Sequence, residues 1–176
     1  MSEAALAAQT AADAARNARC ASSPRKAAHY AAKLRTTAHA EKVKWLFNSA
    51  INDHSTLARL LLADGLSPST IDAGQSVLHV AASHGSIDVV RLLMEAGADA
   101  NSLSNLGLTP LQAAIAHGQL ACARELIPLT DLLHFSADGN NALHTSIMLK
   151  QPKIFKLLLP HFADNVDVRS IKNRAP

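Results

Sequence analysis

A chain of 176 residues, 48% hydrophobic and 3% aromatic, has a globular composition whose core must be filled by Leu, Ile, Val and Ala, which favours helices packed on helices. The net charge of +3 divides into +5 over residues 1–44 and −2 over residues 45–176, so the body lacks the basic, aromatic-bearing surface of a nucleic-acid-binding domain. Cys20 and Cys122 lie 102 positions apart without CxxC spacing, no apolar run reaches the roughly 18 residues of a membrane span, and the N-terminus lacks the apolar stretch of a secretory signal. Disulfide scaffolds, membrane contact and secretory export are therefore not expected, and a reducing, cytoplasmic setting is the simpler reading.

Residues 1–40 contain sixteen alanines, with Leu6, Tyr30 and Leu34 among the few large apolar side chains. Alanine favours helix but buries little. Ser2-Glu3 and Ser23-Pro24 both read as helix starts, predicting two helices, the second running on into the body. Such an arm fits a helical extension that caps the array or packs on a neighbour. Its Arg-bearing, acid-poor composition also fits an organellar transit peptide, and Arg25-Lys26 with Lys33 and Arg35 fit a weak nuclear import signal.

From residue 41 onward the chain repeats itself. Gly74-Gln75-Ser76-Val77-Leu78-His79, Gly107-Leu108-Thr109-Pro110-Leu111-Gln112 and Gly139-Asn140-Asn141-Ala142-Leu143-His144 place their glycines 33 and 32 residues apart. A further 34 residues on stands Asn173-Arg174-Ala175-Pro176, which looks like the opening of another motif, as in a fragment of a longer array. Between these anchors each unit predicts helix, turn, helix, as in Val77 to Ser83, His84-Gly85-Ser86 and Ile87 to Ala96. The stripe of Ile87, Val90, Leu93 and Met94 is too wide for one helix pair to bury, so neighbours must stack. Gly65 and Gly97 are placed to end second helices in the left-handed conformation, and Pro128 and Pro160 to end or bend them. The polar segments Asp99 to Leu106 and Asp131 to Asp138 read as hairpin-like fingers between units.

These residues resemble the ankyrin-repeat family, with its roughly 33-residue unit. The agreement is best in Leu78-His79-Val80-Ala81-Ala82-Ser83-His84-Gly85 and in Leu92-Leu93-Met94-Glu95-Ala96-Gly97-Ala98-Asp99-Ala100-Asn101. A degenerate first unit aligns Leu57 to Gly65 with Val89 to Gly97. The resemblance implies an all-α ankyrin-repeat solenoid of stacked helix-turn-helix units with short hairpin-like fingers, preceded by the alanine-rich helical N-terminal extension. The domain is placed at 41–176, in units of about 43–72, 73–105, 106–137 and 138–170, with a further unit starting at 171–176. By resemblance, His79 and His144 hydrogen-bond between repeats. Departures from the family pattern are expected to weaken the last two units: Lys150 stands where the turn glycine belongs, Gln112 replaces the motif histidine, and Pro128 and Pro160 interrupt the usual helix-end sequence.

No phosphate loop, nucleophile elbow or zincin motif occurs, and Cys122 falls on a second-helix position equivalent to Val89 that should be buried and inert. His84 and His117 lie 33 residues apart without further ligands at useful spacing. The expectation is no enzyme, no metal, no cofactor and no small-molecule substrate. In this family the fingers and first helices line a concave groove that binds proteins. By register, the partner-binding residues are Gln75, Leu108 and Asn140 after the motif glycines, and Ser83, His84, Ala116, His117, Met148 and Leu149 near first-helix ends. Leu106 joins them at a finger tip, beside Asp72, Asn105 and Asp138. Leu106, Leu108, Met148 and Leu149 exposed together would make an apolar patch suited to a protein partner, or to the next repeat. The alternative function is a permanent subunit of a larger assembly, docked through residues 1–40.

Overall fold

Helices of seven to nine residues, as six of the eight described here are, cannot hold their shape in water alone, so each depends on its caps and on the neighbours it packs against. The computed structural model describes Lys33 and residues 37–163. Among these residues lie α1 (His39–Asn52), α2 (Ser55–Ala63), α3 (Val77–His84), α4 (Ile87–Glu95), α5 (Pro110–Ala116), α6 (Leu120–Leu126), α7 (Ala142–Met148) and α8 (Pro152–Ala163). They form four antiparallel pairs stacked in chain order, with first helices packing on first helices and second on second. One apolar core runs through the stack, from Leu46 and Leu61 through Leu78, Val90, Leu111 and Ile115 to Leu158 and Phe162. Ala81, Ala82, Ala114 and Ala123 are buried in it, and their small side chains let successive helices approach closely.

The turn inside every pair has one geometry. The first or second residue after the first helix lies in the left-handed region, at Asp53 (φ 53°), Gly85 (φ 77°), Gly118 (φ 69°) and Lys150 (φ 52°). The next amide then donates to the carbonyl five residues back: His54 to Ser49, Ser86 to Ala81, Gln119 to Ala114 and Gln151 to Ser146, at 2.9–3.0 Å. Lys150 thus keeps the turn and bears its strain, about 1–2 kcal/mol for a side chain in this region. Gly65 (φ 95°) and Gly97 (φ 85°) end α2 and α4 as predicted.

Two expectations are corrected. Ala38 is extended (φ −64°, ψ 149°), so α1 opens afresh at His39 and is not continuous with the helical backbone at Lys33. Pro160 does not end α8, which continues to Ala163; Pro160 is exposed, and so is Lys156, whose carbonyl loses its intrahelical donor. Pro128 sits in a 3₁₀ turn, Ile127–Leu129, directly after α6. Of the three described fingers only the first pairs as strands, β1 (Ile71–Asp72) antiparallel to β2 (Gln75–Ser76) with Ile71 opposite Ser76. The other two are single tight turns. The expected helices in residues 1–32 and the start of a further unit at 171–176 lie outside the described residues.

With Lys150 strained and Pro160 interrupting its ladder, the α7–α8 pair is expected to be the least stable of the described units. Amide hydrogens of residues 142–163 should exchange faster than those of residues 43–60, by hydrogen-exchange mass spectrometry. Lys150→Gly should slow that exchange and raise stability by roughly 0.5–1 kcal/mol, the relief of strain less the entropy a glycine adds to the unfolded chain. Faster exchange at residues 43–60 would contradict this ordering.

Candidate interaction surface

The first helices α3, α5 and α7 start at Ser76, Thr109 and Asn141, whose side-chain oxygens accept from the amides of His79, Gln112 and His144. Those three side chains reach back to the amide of the capping residue, completing the box in each unit. Pro110 adds a preset first turn to α5. The same side chains can also face the next unit. His79 Nε2 donates to the carbonyl of Leu108 at 2.8 Å, leaving Nδ1 to accept from the Ser76 hydroxyl at 2.7 Å. Gln112 Nε2 donates to the carbonyl of Asn140 at 2.9 Å. The glutamine in place of the motif histidine therefore makes both of its bonds and does not weaken its unit. His144 makes the capping bond, and the stretch that would offer it a matching carbonyl lies outside the described residues.

Each finger is shaped for the next. Gly107 N donates to Ser104 O at 2.8 Å while Ser104 N donates to Leu108 O at 3.0 Å, and Gly139 and Ser136 repeat this with Asn140. Neighbouring fingers are joined edge to edge, the Asn105 amide to Gly74 O at 2.8 Å and the Ala137 amide to Leu106 O at 3.3 Å. A Cβ at Gly74 would lie 2.9 Å from Asn105 Cβ, so glycine is required there by contact as well as by its φ of 77°. The fingers form a connected ledge beside the ends of the first helices.

Most of the predicted contact residues lie open. Gln75, His84, Ala116 and His117 are exposed, as are Leu106, Met148 and Leu149. Asp72, Asn105 and Asp138 are exposed at the finger tips. Leu108, expected to be exposed, is half-buried; its carbonyl accepts from His79 and its amide donates to the Ser104 hydroxyl at 3.1 Å. Asn140 is half-buried for the parallel reason, its carbonyl serving Gln112, and Ser83 is half-buried with its hydroxyl bonded to Val80 O. His84 and His117 both donate Nδ1–H to the carbonyl four residues back, Val80 and Ala113, which leaves Nε2 of each as an acceptor. Among the described residues no three of His, Cys, Asp and Glu gather into a metal site.

Two links escaped sequence reasoning. The Val89 amide donates to Asp53 Oδ1 at 3.2 Å, so a carboxylate of the first turn caps α4 of the next unit. Burial pushes this carboxyl above the usual range, and the Val89 bond pulls it partly back. Gln119 Nε2 donates to Ser83 O at 3.1 Å across the turn at Gly85. The only sequence signal for Asp53 was its place where later units carry a turn residue. Cys122 is buried as expected, and burial, with the negative charges of Asp53 and Glu125, raises its thiol to about 12, leaving it protonated.

Burial lowers the pKa of His79, partly offset by its bond to Leu108. The unfolded chain then binds the proton more readily than the folded one, so the array is expected to lose stability as pH falls below the ordinary histidine value of about 6.5 and to keep it above. His79→Gln, which copies Gln112, should retain both bonds and remove this part of the pH dependence. Urea midpoints at pH 7.5 and 5.5 for the two proteins check it; an equal drop in both would refute the assignment to His79.

The sequence model described as "Ankyrin repeats (3 copies)" matches residues 11–104 and 78–170, its first match beginning within the alanine-rich stretch. Among similar proteins, E3 ubiquitin-protein ligase KEG of Arabidopsis thaliana is 34% identical over 91 residues, 50% of this chain and 6% of that protein. Ankyrin repeat and SOCS box protein 14 of Homo sapiens is 49% identical over 57 residues, 32% of this chain and 10% of its own length. Neurogenic locus notch homolog protein 2 of Homo sapiens is 38% identical over 80 residues, 44% of this chain and 3% of its own. The chain thus spans a small part of each of these relatives. With the match covering most of the sequence, and four helix pairs stacked by one repeated turn and one repeated cap, the chain belongs to the ankyrin-repeat family.

Proposed function

We propose that the chain binds a partner protein through the face made by its fingers and first-helix ends, the groove that the resemblance makes concave. Ankyrin repeats are generally protein–protein interaction modules and typically non-enzymatic. The observation that carries the finer reading is the exposure of Leu106, Met148 and Leu149 at positions the stack does not need, while no buried side-chain nitrogen or oxygen among the described residues lacks a partner. A satisfied core with large apolar side chains left exposed, these three at predicted contact positions among others along the array, fits a surface whose cover is another molecule. The exposed His117 beside this row offers a polar group for specificity.

The test is cross-linking and affinity purification of tagged chain in three forms: intact, lacking residues 1–40, and carrying His117→Asp with Leu106→Glu. Both of those side chains are exposed, so circular dichroism should be unchanged in the last form. Loss of a specific protein from it, with retention by the truncated form, is the expected result. Loss from the truncated form alone would replace this reading with that of an assembly subunit held through residues 1–40.

A further inference from the structure

Equivalent positions down the stack differ sharply in the last described unit. Ile115 in α5 is 0% exposed, whereas Ile147, at the same distance from its cap in α7, is 56% exposed. Ile127 after α6 is 4% exposed and its counterpart Leu159 in α8 is 48%. Phe155 stands where α4 has buried Val90 and α6 buried Ala123, and is only partly covered. Ile147 and Phe155, with Ser146, Lys150, Gln151 and Pro152, line an open depression of about 340 Å³.

The charges of the last described unit, with Lys150 in the lining of the depression itself, say what kind of molecule fits it. At Gly85 and Gly118 the next unit's glutamine lies over the turn, so a Cβ would come within 2.5 Å of Gln119 Oε1 and 3.0 Å of Gln151 Nε2. Lys150 already fills that place with a side chain. At Asp53, the first turn of the stack, a carboxylate meets the amide end of the following second helix. A lysine there presents the opposite sign to the positive end of such a helix. Asp53 shows that a side chain at this turn can be covered by a following unit, but there it supplies a carboxylate cap; with lysine in its place the mismatch with another unit of the same build is one of charge. Residues 139–163 contain no Asp or Glu but carry Lys150, Lys153 and Lys156, all exposed and none with an ion-pair partner among the described residues. The preceding pair mixes signs, with Arg91 bonded to Glu125 across the stack.

We propose that this end face docks an acidic amphipathic segment of a partner protein, with an apolar side chain seated between Ile147 and Phe155 and carboxylates against Lys150 and its neighbours. It is centred on the depression between Ile147 and Phe155, next along the chain to Met148 and Leu149 but without Leu106 or the fingers in its lining, and does not rest on the reading above.

The test uses the full chain and a fluorescein-labelled helical peptide of about 16 residues, with leucines along one face and glutamates flanking them, followed by anisotropy. The acidic peptide should bind about tenfold more tightly than its Glu→Gln counterpart, and less tightly as salt rises. Lys150→Gly, which relieves backbone strain and so cannot act by misfolding, should weaken it several-fold, and Phe155→Ser should weaken both peptides. Leu106→Glu, on the finger ledge, should leave binding unchanged, which separates this result from the fate of the other surface. Equal binding of acidic and neutral peptides, or no effect of Lys150→Gly, would overturn the proposal. So would Lys150-dependent binding to phosphatidylserine vesicles in place of the peptide. Shielding of Ile147 and Phe155 from a soluble paramagnetic probe in the free chain would overturn it too, assigning the face to residues 164–176 or, where shielding grows with concentration, to a second copy.

Discussion

Leu111→Ala is expected to lower the stability of the array by about 3 kcal/mol, within the roughly 2–5 kcal/mol measured for truncating buried leucines. Leu111 is 0% exposed in α5, the first helix that packs against both α3 and α7. Its surroundings are poorly able to collapse into the space, because Ala114 and Ile115 on the same helix are already committed to the core and the helix start is fixed by the Thr109–Gln112 box. The removed methyl groups also lie between units, so the loss falls on stacking and should extend to both neighbours. Urea unfolding followed by far-ultraviolet circular dichroism gives the number, with Leu106→Ala, an exposed position, as a control expected within about 0.5 kcal/mol of the parent. A loss under about 1 kcal/mol for Leu111→Ala would mean that α5 is not the centre of a continuous core.

Gly85→Ala is expected to cost about 2 kcal/mol, against about 1 kcal/mol for Gly97→Ala. Both residues have positive φ, 77° and 85°, so both alanines bear the left-handed strain. Only Gly85 has a neighbour in the way: the new Cβ would lie 2.5 Å from Oε1 and 2.8 Å from Cδ of Gln119, whereas nothing lies within 4 Å at Gly97. The Gln119 side chain can swing aside, but it then gives up its bond to Ser83 O. The difference between the two substitutions therefore measures that bond. A double-mutant cycle with Gln119→Ala should show a coupling of about 1 kcal/mol, and additive effects would show that the clash is relieved without loss of the bond.

What was legible in the sequence was the part set by local chemistry at fixed spacing. The repeated motif marked where each first helix begins, and the structure gives the reason, the Ser76, Thr109 and Asn141 side chains each accepting from the amide three residues on; the recurring glycines mark where the chain must turn. Lys150 could be named as strained and Cys122 as buried from register alone, and both are so. Register was a weaker guide to exposure. Leu108 looked outward by position, yet it is half-buried. Asp53 went unseen because its partner amide is 36 residues away and no local pattern records it. The exposure of Ile147 is a matter of contacts between units, which the pattern of its own unit does not encode.

The bonds from His79 to Leu108 and from Gln112 to Asn140 both run forward, from an earlier unit to a later one. During synthesis the imidazole of His79 is made 29 residues before the carbonyl that satisfies it. At about 5–20 residues per second this is a delay of roughly 1.5–6 seconds. Over that interval α3 can form its cap but cannot bury its histidine without leaving a ring nitrogen unpaired. The second and third helix pairs on the ribosome are thus finished by the loop that follows each of them, and over this stretch folding trails translation by about one repeat.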